Sequence, residues 1–204
     1  PNKSMANMTR CILDSADRSN VSRFLSTAPW LQESINRRRI RYLNQQTKSI
    51  RKPKAGSALL IDDTLCEHVG SLFEHVARPY DHTDNTFPIA HNPVTSHYVS
   101  GPVRFPVDLR LYRRYEEITC WESFVHKHFP EREIPTKTKE RQRFHKELDP
   151  VLLQDPEFVA LHAKFRTKID LPIELVWPPI DHNVRFSLLM FAGWYLTDHW
   201  VNVY

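Results

Sequence analysis

The chain has 204 residues, 41% hydrophobic and 25% charged, the make-up of a soluble globular protein. No run approaches the roughly 18 apolar residues that a membrane-spanning helix needs, so a transmembrane helix is excluded. The net charge of +4 hides an asymmetry: residues 1–56 hold 12 Lys and Arg against 3 Asp and Glu, a net of +9, while residues 57–204 sum to −5.

A basic leader on a mildly acidic body suits a polyanion partner held by the N-terminal part, or equally a solvated basic face or arm. Cys11, Cys66 and Cys120 are odd in number and widely spaced. That fits free thiols in a reducing compartment better than a disulfide framework. The opening residues PNKSMANMTRCILDSAD lack an apolar core and a small-residue cleavage pattern, so no secretory leader is expected.

Residues 20–45 read as helical, with Asn20 or Ser22 as a cap. Apolar positions from Phe24 to Leu43, Trp30 among them, recur at three- and four-residue intervals, and Pro29 marks a break. The cluster Arg37-Arg38-Arg39-Ile40-Arg41 lies on the second of these helices, and TKSIRKPKAGS (47–57) reads as a basic linker. The body opens with a strand over 57–62, followed by a loop-like stretch over 65–92. Residues 93–101 and 102–114 read as two strands joined by a Gly-Pro turn. Val103, Phe105, Val107, Leu109 and Leu111 alternate at period two, as on one face of a strand.

Residues 115–150 form a charged helical insertion, with KTKERQRFHKEL as its best helix. A helix is predicted over 156–169, with Phe158, Leu161, Phe165 and Ile169 on one face and Pro156 in the first turn. Over 170–183, Pro172, Pro178 and Pro179 are expected to interrupt a helix. An apolar strand over 184–195 closes the series. Three strands, then a helix and a strand, predict a mixed α/β sheet with the first strand central.

The first strand, Ala58-Leu59-Leu60-Ile61, runs into Asp62, Asp63 and Thr64. Carboxylates ending a buried strand are costly unless they are paired, hydrogen-bonded or bound to a cation. Mg2+ takes one or two carboxylates with water and phosphate oxygens. Successive strand side chains point to opposite faces, so one aspartate can serve as a ligand while the other is structural. The bland alternative is that both begin a turn.

The run LLIDDT, followed by DNTFPIAHNPVTSHYVSG and PVDLRLYRR, with NVSRFLSTAPW upstream and RFSLLMFAGWY downstream, resembles bacterial insertion-sequence transposases. These belong to the DDE superfamily, in the branch grouped with the insertion-sequence-four type. The resemblance spans about Asn20 to Tyr195. It implies a helical DNA-binding region over 1–56 and an incomplete RNase H-like core over 57–204, a mixed sheet with flanking helices that carries the insertion near 115–150. In such a core three acidic residues hold two divalent ions, Mg2+ or Mn2+. One ion activates a water or a 3′-hydroxyl, and the other stabilises the leaving oxygen of a DNA phosphodiester.

The resemblance puts the first acidic residue at Asp63, supported by Asp62, Thr64 and Asn85. Arg37, Arg38, Arg39, Arg41, Lys48, Arg51, Lys52 and Lys54 would hold DNA through its phosphates. The second acidic position falls on Ala192, the third would lie beyond Tyr204, and Asp198 is a poor substitute. Metal is then weakly bound, and strand cleavage is expected to be very slow or absent. The implied partners are DNA at transposon ends and a second copy on that DNA, in a bacterial cytoplasm near the nucleoid.

Two rival readings stand beside this one. They are a non-catalytic DNA-binding protein derived from a transposase and a metal-dependent phosphohydrolase. The groups Cys66, His68, His75 and His126, His128 lack a complete zinc-ligand spacing. Arg110, Arg113 and Arg114 either line a DNA groove or neutralise Glu116 and Glu117.

Overall fold

The structure is a computed structural model that describes residues 10, 17–29, 31–51, 56–70, 74–181 and 183–195. It divides into two units, Pro1–Tyr42 and Leu43–Tyr204. In the first unit, α1 (Arg18–Thr27) has Asp17 at its N-cap, so the helix starts before Asn20 and Ser22. α2 (Gln32–Gln46) begins past Pro29 and runs on beyond the division. The predicted pair of helices with a break at Pro29 is therefore present; Trp30 lies outside the described residues.

The second unit is built on a sheet. Its strands are β1 (Ser57–Asp63), β2 (Cys66–Glu67), β3 (Ala90–Ser100), β4 (Val103–Tyr112) and β5 (Leu188–Phe191). β1 lies between β3, antiparallel to it, and β5, parallel to it, while β4 pairs with the far side of β3. This is the mixed sheet with a central first strand, in the RNase H-like arrangement. β3 and β4 are joined through Gly101, whose φ of 58° is the left-handed conformation that glycine adopts without strain.

β1 and β2 pair with β3 in one register, Asp63 opposite Val94 and Cys66 opposite His91. The strand expected to stop at the aspartates therefore continues past them along β3. What stops there is its other neighbour, since β5 pairs with β1 only from Ala58 to Ile61. Within the stretch read as loop, β2 and the bridges Ala77–Ala90 and Asp81–Thr86 add further pairing.

Alternation along β4 holds only in part. Val103, Phe105 and Val107 are buried, but Leu109 is exposed. His97 pairs with Pro106 and Ser96 with Asp108, which leaves Val107 as an extra residue in a bulge. A bulge shifts every later side chain to the other face, so Leu109 falls opposite Thr95, beside Asp62.

The charged stretch over 115–150 is helical, as expected, and with the helix that follows it forms a helical subdomain: α3 (Tyr115–Ile118), α4 (Trp121–His128), α5 (Thr138–Leu152) and α6 (Pro156–His162). It has its own core of Trp121, Phe124, Val125, Phe144, Leu148, Leu152 and Phe158. α6 opens on a capped turn, with the Asp155 side chain accepting from the Glu157 amide at 2.8 Å and Pro156 at the first position. It ends at His162, so Phe165 and Ile169 fall outside the helix expected to reach them.

α7 (Asp170–Asp181) runs through the prolines expected to break it. Pro172 sits in the first turn, where no backbone donor is missed. Pro178 and Pro179 remove two donors near the end. The helix nonetheless continues, with Leu171, Leu175 and Val176 buried and its length packed over β1, β3 and β4; such packing outweighs local propensity. The strand expected over 184–195 is four residues long, followed by a 3-10 turn at Gly193–Tyr195.

Candidate active site

Side chains on β1 alternate between faces. Ser57, Leu59 and Ile61 are buried, and Asp63 continues their face; Asp62 lies on the opposite face and is exposed. Lys168, two residues before α7, reaches Asp63 with its Nζ 2.8 Å from Oδ2, so the side of Asp63 is the side that α7 covers. The Asp63 side chain is 19% exposed and that of Lys168 32%. At the other oxygen, the Tyr195 hydroxyl donates to Oδ1 at 3.2 Å. Buried Asn92, with its amide turned to satisfy both neighbours, donates to Asp63 Oδ2 at 3.3 Å and accepts from Lys168 Nζ at 2.7 Å.

Asp63 thus receives one ammonium and two neutral donors from its own chain. Burial, reinforced by the Asp63 charge and the hydrogen bond to it, pushes the Tyr195 hydroxyl well above its ordinary pKa of 10.0. Tyr195 therefore stays a proton donor across the physiological range. Lys168 also lies over the Tyr112 ring, 5.5 Å from its centroid, a cation–π contact that helps to fix the ammonium.

Around Asp63 opens a cavity of about 370 Å3, which Thr64, Glu67, Tyr80 and Asp81 also line. Thr64 donates its amide to Pro93 O at 3.1 Å, which continues the β1–β3 ladder. Asp62 faces away and accepts from the amide of Asp63 at 2.9 Å. Asn85 sits in the turn between Asp81 and Thr86 with φ of 53°, accepting from the Tyr80 hydroxyl at 2.7 Å. Its φ and that bond make it a turn former here. Ala192 directly follows β5, at the same end of the sheet as Asp62 and Asp63, and brings a methyl group there.

These residues do not fit a two-metal centre. Both oxygens of Asp63 already have protein donors, Asp62 is on the other face, and Ala192 has no oxygen to offer. Among the described residues no three His, Cys, Asp or Glu side chains are grouped to hold an ion. Three of the four histidines weighed for zinc are engaged elsewhere: His68 bonds His91 at 2.6 Å, His75 bonds Glu117 at 2.7 Å, and His128 bonds Asp155 at 2.8 Å. Cys66 and Cys120 are exposed free thiols.

The residues expected to hold DNA fall in both units. In the first, Arg37, Arg38 and Arg41 are exposed on α2, while Arg39 is turned back onto Asn36. In the second, Lys48 is exposed in the turn after α2, and Arg51 is held by Asn44, Nη1 to Oδ1 at 2.9 Å. Lys52, Lys54 and Asp198 lie outside the described residues. The alternatives for the three later arginines divide by residue. Arg110 pairs with Asp108 at 2.7 Å and Arg113 with Glu117 at 2.9 Å, while Arg114 stays exposed.

Sequence reading missed Lys168, Tyr195 and Asn92. Tyr195 lies in the same run as Ala192 and could have been suspected. Lys168 is 105 residues from Asp63 along the chain, and no local pattern marks it. No helix among the described residues is long and apolar enough to cross a membrane.

No curated protein and no solved structure matches this chain. A family model described as DDE superfamily endonuclease matches residues 1–198. With that match over nearly the whole length, and an RNase H-like sheet that carries an aspartate at the end of its central strand, the chain belongs to the DDE superfamily endonucleases.

Proposed function

We propose that this chain is a transposase-type protein that binds DNA, with transposon ends as its target, and does not cut it in its present form. The observation that carries the reading is the ion pair between Lys168 and Asp63, at the end of the sheet where Ala192 follows β5. In a DDE centre the first aspartate shares divalent cations with a second carboxylate, and these cations activate the attacking oxygen and stabilise the leaving one. Here the positive charge at the aspartate comes from a lysine, which offers no vacant coordination position for a phosphate oxygen. The second carboxylate is replaced by a methyl group. Asp63 then serves to anchor Lys168, Asn92 and Tyr195 at the end of the sheet.

The DNA-binding half of the proposal rests on Arg37, Arg38 and Arg41, which recur three and four residues apart on an exposed helix face. Lys48 adds to them, and so do Lys52 and Lys54 in the sequence. Contacts of this kind hold the phosphate backbone and carry no base information. Pairing of two copies on DNA, an origin in the insertion-sequence-four branch, and a place in the bacterial cytoplasm near the nucleoid belong to the same reading. A non-catalytic DNA-binding protein derived from a transposase is the form of it that Ala192 and Lys168 favour.

The test is a duplex-DNA binding titration across salt, run with a nicking assay in Mg2+ and in Mn2+. Salt-sensitive binding without nicking is expected. Nicking by the unmodified chain would overturn the account of Ala192 and Lys168. Calorimetric titration of Mg2+ sharpens it: no saturable binding is expected until Ala192→Asp and Lys168→Met are combined.

A further inference from the structure

A second basic surface lies on the helical subdomain, on residues other than those assigned to DNA above. On α5, Phe144, Leu148 and Leu152 face the core. At 100° per residue, Lys139, Arg143 and Lys146 fall within a narrow stripe on the opposite side. All three are exposed, and none makes an ion pair or hydrogen bond with another described residue.

The neighbouring carboxylates are occupied. Glu140 pairs with Lys137 at 3.4 Å and Glu147 with Arg132 at 2.8 Å. Glu116 is held by Arg141 at 2.6 Å, and Glu122 bonds the same guanidinium. Asp149 accepts from the Trp121 indole at 2.7 Å. These carboxylates thus have partners within the subdomain other than the stripe, and Lys139, Arg143 and Lys146 remain without an acidic partner among the described residues.

The stripe borders a groove of about 960 Å3 between α3 and α5, lined by Lys146, Arg114, Thr136, Thr138 and Gln142 among others. Arg114, like the stripe, is exposed and free of ion pairs among the described residues. Two cations without ion pairs among the described residues flank this groove; its other walls hold neutral donors and the carboxylates Glu116, Glu122 and Asp149, which are bonded as above. Lys139 to Lys146 spans roughly 10 Å at 1.5 Å per residue, about three steps of the 3.4 Å rise between successive phosphates of one DNA strand.

We propose that α5 and this groove grip the phosphate backbone of duplex DNA, giving the chain a second DNA contact besides the basic N-terminal region. The inference rests on the DNA-binding reading above and adds a separate surface to it.

The experiment measures duplex-DNA affinity by fluorescence anisotropy over a salt series. It compares the full chain with the variant Lys139→Gln, Arg143→Gln, Lys146→Gln and with the single variant Lys146→Gln. Each lost phosphate contact should flatten the slope of log K against log salt by about 0.9, so the triple variant should lose up to about 2.7 and the single one about 0.9. Circular dichroism and the unfolding midpoint should not move, because the three side chains face away from the core. An unchanged slope in both variants, with the full chain binding normally, would overturn this surface alone. Failure of the unmodified chain to bind any duplex would overturn the DNA reading and this inference with it. A variant that loses affinity for single-stranded RNA but not for duplex DNA would overturn the choice of partner.

Discussion

The end of the sheet and the helical subdomain solve the same problem, charge within a small fold, in opposite ways. At the sheet, one carboxylate is enclosed by an ammonium, a phenol and an amide from its own chain. In the subdomain, most acids are paired at the surface, Arg141 serving both Glu116 and Glu122, while three cations of α5 are left over. The first arrangement consumes the charge that a DDE centre would offer to metal. The second leaves charge free for a polyanion. Position in the family fold and capacity for its chemistry are therefore separable, and on the reading proposed above the capacity to hold a polyanion lies in the helical subdomain.

The largest way to break this comparison is through the core of the subdomain. Trp121 is fully buried, donates to Asp149, stacks on His145 at 4.0 Å and lies under the Arg141 guanidinium. Trp121→Ala should cost about 3–5 kcal/mol, read as a lowered urea midpoint. It should also abolish the binding assigned to α5 while leaving the contacts of the first unit in place. Loss of less than about 1 kcal/mol would mean that the subdomain is not held by this network.

Next in size is the sheet site. Lys168→Ala removes the ammonium and leaves Asp63 with neutral donors, which should cost about 1–3 kcal/mol in chemical denaturation. Lys168→Gln, which keeps a donor, should recover part of that. Equal stability of the alanine variant would show that the pair is incidental and that Asp63 is available for other partners.

Much of the architecture is legible in the sequence because it depends on local patterns. The apolar run at Leu59 marks the central strand, Pro29 separates two helices, and Gly101-Pro102 marks the hairpin. Legibility fails where a distant contact decides. The bulge at Val107 depends on how β4 meets β3, so Leu109 continues the alternation and still faces out. Phe165 and Ile169 keep helical spacing although the chain has turned at Ala163. The prolines of α7 look like breakers until the sheet beneath them is known. At the site, Asp63 announces itself by ending an apolar run, but Lys168 lies far along the chain and completes it only through the fold.

Acid sharpens the contrast further. Burial works to raise the pKa of Glu116, but hydrogen bonds from Arg141 and His145 hold it below the ordinary 4.5. Hydrogen bonds from His128 and Lys127 hold Asp155 lower still. A carboxyl depressed in the folded state contributes stability that is present in full above its unfolded pKa. That contribution is lost as pH falls through the folded one. The unfolding midpoint should therefore drop steadily below about pH 4.5, and Glu116→Gln should flatten that drop while lowering the midpoint at neutral pH. A steeper acid dependence in the variant would contradict the assignment.

The smallest effect concerns two buried polar groups with opposite fates. The Trp121 N–H has Asp149 as its acceptor, whereas the fully buried Tyr98 hydroxyl on β3 has no partner among the described residues. Tyr98 packs on Phe105 with ring centroids 5.1 Å apart, so its ring is held by apolar contact. An unpartnered buried hydroxyl costs about 1–3 kcal/mol relative to a satisfied one, and deleting it leaves no orphan behind. Tyr98→Phe should be neutral or stabilise by up to about 1 kcal/mol, whereas Trp121→Phe, which strips a donor from Asp149, should destabilise by at least that much. Urea midpoints of the two variants decide it. If Tyr98→Phe destabilised as much as Trp121→Phe, the hydroxyl would have a partner in the folded chain, and the sheet would satisfy its buried polar groups as fully as the subdomain does.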